Sequence, residues 1–215
     1  MKNRIRTAIK ALLVSLCFVL TVTASARSIG QSVPELPMPD GSGDVPEITV
    51  DLYPVPGIEQ TEKLKLSSLR GKVVLLDMFL STCPHCQDHA PNIVAMYNQF
   101  KAKGFTVISM ATDDKANPNS AKSVGKYITK AKINYPVGQI SYEVVAYYAD
   151  PKNAGVPQMV LFGADGKMVL RETGWTEEIG KKLTQTVEEQ LNKLPTVKPG
   201  SKASTKPTKE KTKLG

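Results

Sequence analysis

Apolar positions fill residues 73–80 with a single interruption, Asp77. A β-branched and aliphatic run of this length, apolar on both alternating faces, predicts a strand buried on both sides. The period then changes. Ile93, Met96, Tyr97 and Phe100 recur at helical spacing and predict a helix with those four toward the core. Pro91 removes a backbone donor and should bend that helix, which should stop by Gly104. Residues 105–111 predict a second buried strand, so strand, helix and strand form a right-handed parallel crossover.

Asn117-Pro118-Asn119-Ser120 predicts a turn and helix cap, with Ala121, Val124, Ile128 and Ala131 as the apolar stripe that follows. Residues 141–149 predict a short helix whose tyrosines, Tyr142, Tyr147 and Tyr148, serve packing. A strand runs from about Gly155 through Phe162, Asp165-Gly166 makes a hairpin turn, and 168–170 is the return strand. Thr176 caps a last helix with Glu177 and Glu178 in its first turn, and Ile179, Leu183, Val187, Leu191 and Leu194 form its stripe. Upstream, residues 46–52 and 63–66 predict short strands around a Pro56-Gly57 turn, and 67–72 leads into the central strand.

The two ends differ from this body. Lys2, Arg4, Arg6 and Lys10 precede an apolar region, 11–22, and Ala24-Ser25-Ala26 fits a cleavage site. Residues 1–26 therefore read as a secretory signal, too short in its apolar part to favour a spanning helix, although an uncleaved signal would leave a membrane anchor. Residues 27–45 read as a flexible leader rich in Pro, Gly and Ser, 46–194 as one domain, and 195–215 as a disordered basic tail. Of the net charge of +8, the signal holds four charges and 193–215 holds six, so the span between carries −2. A domain of that charge gives no electrostatic case for nucleic-acid binding.

Candidate chemistry sits where the central strand meets the helix, at Cys83-Pro84-His85-Cys86. Pro84 suits a first helical turn, where its missing N–H costs nothing. A helix N-terminus carries unpaired N–H groups and about half a positive charge, which stabilises a thiolate at Cys83. His85 adds a further donor or positive charge, and Cys86 lies one turn away, able to close a disulfide. Zinc would need four ligands, whereas Cys83, Cys86 and His89 offer three at most. A c-type haem site would need His at position 87, which is Gln. With the signal removed, one cysteine pair remains in an exported chain, which suits redox catalysis better than a disulfide framework. Asp77 is the other conspicuous residue. An acid in a central strand is expensive to bury, and burial favours its protonated form, which suits proton exchange; a strand-end Asp facing solvent is the bland alternative.

The segment GKVVLLDMFLSTCPHCQDHAP resembles the active-site segment of the thioredoxin superfamily, and most of all its TlpA/ResA-like extracytoplasmic thiol-disulfide oxidoreductases. The dipeptide Pro84-His85 is instead the one found in DsbA-like oxidases. The resemblance covers about residues 45–194. It implies an α/β, thioredoxin-like three-layer fold, a central mixed sheet flanked by helices, with an N-terminal β-hairpin extension. It implies attack by Cys83, resolution by Cys86 and proton transfer between Asp77 and Cys86. Pro157 matches the loop proline that the superfamily holds in cis opposite the cysteines, and the backbone of Val156 would then pair with an extended substrate. Only 70 residues, 87–156, separate motif and loop, too few for the helical insertion of DsbA.

Two positions depart from the pattern. Thr82 stands where most of the family has Trp. His89 stands where the TlpA/ResA-like group commonly has Glu; it either faces the cysteines in that acid's place or lies on the helix surface. Trp175 reads as packing. The expectation is an exported, periplasmic or otherwise extracytoplasmic monomer that needs no cofactor or metal, exchanges disulfides with protein substrates and works with a membrane redox partner. His85 should make its potential more oxidising than thioredoxin's. The competing reading is a copper or zinc carrier using the same cysteines.

Overall fold

The computed structural model describes residues 37–39, 41–42, 45–153 and 155–195. The stretch read as a signal, most of the leader and the tail beyond residue 195 lie outside these. The chain order is β1 (Thr49–Tyr53), β2 (Lys63–Lys65), a 3-10 turn (Leu66–Leu69), β3 (Val73–Phe79), α1 (Pro84–Phe100), β4 (Phe105–Ala111), α2 (Ser120–Ala131), β5 (Val137–Gln139), α3 (Tyr142–Tyr148), β6 (Gln158–Phe162), β7 (Met168–Thr173) and α4 (Glu177–Leu191).

All seven strands join one mixed sheet in the order β2-β1-β5-β4-β3-β6-β7. The unbroken apolar run lies at its centre: β3 pairs in parallel with β4 on one side and antiparallel with β6 on the other. The parallel β3–α1–β4 unit and the β6–β7 hairpin are as the hydrophobic pattern predicts. Gly166 closes that hairpin at φ +74°, a left-handed conformation that favours glycine, and the Arg70 guanidinium lies where a Cβ would project. The N-terminal hairpin is continuous with the sheet, since β1 also pairs antiparallel with β5.

The period of two on β3 decides what each face receives. Val74, Leu76 and Met78 pack with Val144 and Tyr148 of α3, Leu66 and Leu69 of the 3-10 turn, and Met38. Val73, Leu75 and Phe79 pack with Ile93 and Phe100 of α1, Val124 and Ile128 of α2, and Leu183 and Val187 of α4. Asp77 falls between Leu75 and Phe79 and so points into the layer that holds α1. Burying each of these aliphatic side chains contributes about 1.5–3 kcal/mol, which is what fixes the strand beneath the helix.

Three local expectations change. Residues 27–45 are not all leader: Met38 is 1% exposed, its N–H donates to the Gly166 carbonyl (2.8 Å) and its carbonyl accepts from Arg70 Nη1 (3.2 Å). A single apolar side chain between two prolines was enough to draw this segment onto the domain. The α2 stripe is Ser120, Val124, Tyr127 and Ile128, with Ala131 packed beside it and Ala121 exposed; the helix begins at Ser120, the residue expected as its cap. Its start carries no side-chain cap; Asn117 and Ser120 instead bond within the preceding turn. The caps expected at the other ends are present, with Thr176 Oγ1 accepting from the Ile179 N–H (3.2 Å) and Gly104 ending the turn after α1 at φ +97°.

Candidate active site

Cys83 is the N-cap of α1, in extended conformation, and Pro84 occupies the first turn. The loop that delivers it is held at each residue. The Cys83 N–H donates to the Leu80 carbonyl (3.0 Å), and the Cys83 carbonyl accepts from the Gln87 N–H (3.1 Å). Ser81 is buried, and both its N–H (3.0 Å) and its hydroxyl (2.5 Å) donate to the Asp113 carboxylate at the end of β4. Gln87 Nε2 returns to the Ser81 carbonyl (3.0 Å). The cysteine's position thus follows from the strand below it and from an acid thirty residues on.

Cys83 is half-buried, His85 is exposed and Cys86 is fully buried; both cysteines are free thiols. Opposite them the Val156–Pro157 peptide bond is cis, and the Val156 carbonyl accepts from the Cys83 thiol at 3.8 Å. Buried Gln158 holds this loop: its Oε1 accepts from the Asp150 N–H (2.8 Å), and its Nε2 donates to the carbonyls of Asn153 (2.8 Å) and Gly155 (2.9 Å).

Beneath the pair, Tyr127 stacks on Phe79 with ring centroids 4.3 Å apart and donates its hydroxyl to the Cys86 carbonyl (3.0 Å). Burial, opposed in part by a backbone contact from Leu80 and reinforced by Cys83 and the Asp77 charge, pushes the Cys86 thiol far up. Cys86 is therefore a thiol at rest and needs a proton acceptor before it can attack.

Asp77 is buried, which removes the solvent-facing alternative. Its Oδ2 accepts from Ser109 Oγ (2.6 Å) on β4, and its Oδ1 lies 2.9 Å from His89 Nε2. His89 does not lie on the helix surface. It is fully buried on α1, with Nδ1 3.3 Å from the His85 carbonyl and the Trp175 ring 5.4 Å from its own. Burial pulls the His89 pKa down, but the Asp77 charge and hydrogen bond, with the His85 and Cys86 carbonyls, outweigh it and leave the imidazole above its ordinary value. Trp175 packs, as expected, and one of the groups it packs against is the buried histidine.

The structure brings Cys83, Cys86, Asp77, Val156 and Pro157 to one end of the sheet, and His85 to its solvent edge. Sequence reasoning did not find Ser109, Asp113 or Tyr127, polar residues whose partners are distant in the chain, or Gln158, whose partners lie in the loop just before it. A metal ligand set built on His89 does not form, since both of its ring nitrogens face oxygen acceptors. Among the described residues no group of three or more His, Cys, Asp or Glu side chains could hold a metal ion, and no helix is long and apolar enough to cross a membrane.

A mixed sheet with a Cys-x-x-Cys pair on the first turn of a helix, facing a cis-proline loop, defines a thioredoxin-like protein. Such a likeness extends to solved structures: the thioredoxin domain of a thiol-disulfide oxidoreductase from Bacteroides vulgatus superposes with TM-score 0.52 at 26% identity, over 69% of this chain and 95% of that one. The chain belongs to the AhpC/TSA family, whose model matches residues 29–171. It is 32% identical over 139 residues to protein DipZ of Mycobacterium tuberculosis, covering 65% of this chain but only 19% of DipZ. It is 26% identical over 119 residues to the thiol-disulfide oxidoreductase ResA of Bacillus subtilis, covering 54% of this chain and 62% of ResA.

Proposed function

We propose that this protein is an extracytoplasmic thiol-disulfide oxidoreductase that exchanges disulfides with protein substrates. The observation that carries this is the pairing of a half-exposed Cys83 thiol at the α1 N-terminus, 3.8 Å from the Val156 carbonyl, with a buried Cys86 one turn behind.

The geometry supports one order of events. The Cys83 thiolate attacks a substrate disulfide, forming a mixed disulfide and releasing one substrate thiolate. Cys86 loses its proton and attacks Cys83 Sγ, expelling the second substrate thiolate and closing the Cys83–Cys86 disulfide. The reverse sequence oxidises a substrate dithiol. Substrate chain beside the cis-Pro157 loop pairs with the Val156 backbone as an added strand. The ResA relative, a thiol-disulfide oxidoreductase by name, supports the exchange chemistry, and the secretory character of residues 1–26 supports export; to this reading we add a monomer serving cytochrome c maturation or disulfide formation with a membrane redox partner. The test is catalysed reduction of insulin disulfides by the chain from residue 27 onward with dithiothreitol as reductant. Turnover should be lost in Cys83→Ser; equal turnover in the two proteins would refute the assignment.

A further inference from the structure

A buried carboxylate and a buried imidazole in contact, next to a thiol that must give up a proton, are more than the exchange reaction strictly needs. The hydrogen bonding around them is specific. Ser109 donates its hydroxyl to Asp77 Oδ2, so that oxygen is occupied. His89 presents Nδ1 to the His85 carbonyl and Nε2 to Asp77 Oδ1. Both ring nitrogens face acceptors, so a neutral imidazole without a proton at Nε2 would set two lone pairs against each other, as would a bare Nδ1 against the carbonyl. The arrangement is satisfied when one proton occupies Nδ1–H and a second lies in the 2.9 Å contact between Nε2 and Oδ1.

That second proton is close to the chemistry. Cys86 and His89 are three apart on α1, hence neighbours on its buried face over β3, and the Asp77 charge bears on the Cys86 thiol. The other titratable groups facing the pair are poor exchangers. The Tyr127 hydroxyl is spent on the Cys86 carbonyl, and Tyr127 and Tyr135 are pushed well above the ordinary tyrosine range, by burial first and then by the Asp77 charge. Trp175, which does not titrate, packs against the imidazole with the rings 5.4 Å apart.

We propose that Asp77 and His89 act as one proton-holding unit for Cys86, with the exchanged proton resident in the His89–Asp77 hydrogen bond instead of on a lone carboxyl. This rests on the thiol-disulfide exchange reading above. When Cys86 attacks the mixed disulfide, its proton passes to the deprotonated pair, the Cys86 Sγ–Cys83 Sγ bond forms, and the bond from Cys83 to the substrate sulfur breaks with the electron pair leaving on that sulfur. When the disulfide is reduced, Cys86 leaves as a thiolate and takes the proton back. The attack step therefore needs the pair empty and accelerates as pH rises through its titration; the leaving step needs it filled and slows over the same range.

The experiment isolates the attack step. The reduced chain from residue 27 onward is treated with dithionitrobenzoate so that thionitrobenzoate is attached to Cys83, and its release by Cys86 is followed by stopped-flow absorbance from pH 5 to 10. His89→Gln retains a donor toward Asp77 but cannot take the proton. It should slow release at pH 7 by about a hundredfold, within the range for general acid–base catalysis, and abolish the inflection. An unchanged pH profile in His89→Gln overturns the proposal while leaving the exchange reading intact; a wild type that never releases thionitrobenzoate overturns the exchange reading itself. If His89→Gln does not fold, the wild type decides through the His89 ring signals in NMR. These should titrate at different pH in the reduced and oxidised chains, and coincident titrations overturn the proposal.

Discussion

His85 and His89 are the only histidines, both on the first two turns of α1, and their surroundings could hardly differ. His89 is sealed between Asp77 and Trp175; His85 lies in solvent beside Cys83. A donor in the first turn of the helix favours the thiolate and hence the reduced form, which makes the disulfide a stronger oxidant. Replacing His85 by Pro, which the first turn tolerates, should therefore make the pair more reducing. The expected fall is about 30 mV, equivalent to about 1.4 kcal/mol for two electrons. Equilibration with glutathione measures it; a potential that stays put or rises removes His85 from that role. The residues that were legible in the sequence are those that break their local pattern. Two cysteines three apart and an acid inside an apolar run stand out without any structure. Ser109 and Asp113 do not, because a buried polar residue is recognisable only by its partner, and here the partners come from other elements; Gln158 does not either, although its partners lie in the loop just before it, because a loop folding back on its own backbone leaves no periodic mark. His89 misled for the same reason: its helix position was clear, but the carboxylate that claims it lies on a strand twelve residues earlier.

At the scale of elements, periodicity placed every helix, and phase was the weaker part. In α2 Val124, Ile128 and Ala131 face the core as expected, Ala121 does not, and Tyr127 joins them, its ring stacked on Phe79 and its hydroxyl reaching the Cys86 carbonyl. An aromatic ring offers more area to bury than an alanine and so decides which side turns inward. Strand β5, three residues long, was too short to carry a pattern, yet it joins the N-terminal hairpin to the sheet. Its Gly138 leaves no room for a side chain: a Cβ there would sit 2.2 Å from Val50 Cγ1 and 3.1 Å from the Asp51 carbonyl. Gly138→Ala should destabilise the fold by about 1–3 kcal/mol, the usual cost of overpacking. Gly125, inside α2 with nothing within 4 Å of its added Cβ, is the control. Alanine there should stabilise by about 0.5–1 kcal/mol. Urea unfolding of the two variants should therefore move in opposite directions, and a shared direction would mean that the hairpin is not braced at Gly138.

For the whole molecule, the buried central strand and its parallel crossover follow from the run at 73–80 and the helical spacing after it, while the mixed sheet was what the resemblance implied. The strand order was not legible in the sequence, because pairing between distant strands leaves no local mark. The chain also has a single tryptophan, and the fold places it against the one buried histidine, 5.4 Å ring to ring. An imidazolium quenches indole emission by accepting an electron from the excited ring, and a neutral imidazole does so far less. Trp175 is thus an optical gauge fixed beside the catalytic pair. If the proton count of Asp77–His89 changes with the state of the cysteines, emission excited near 295 nm should differ between dithiol and disulfide at the same pH. The difference should vanish in His89→Gln. Redox state could then be followed in the unlabelled protein, during turnover, by light alone.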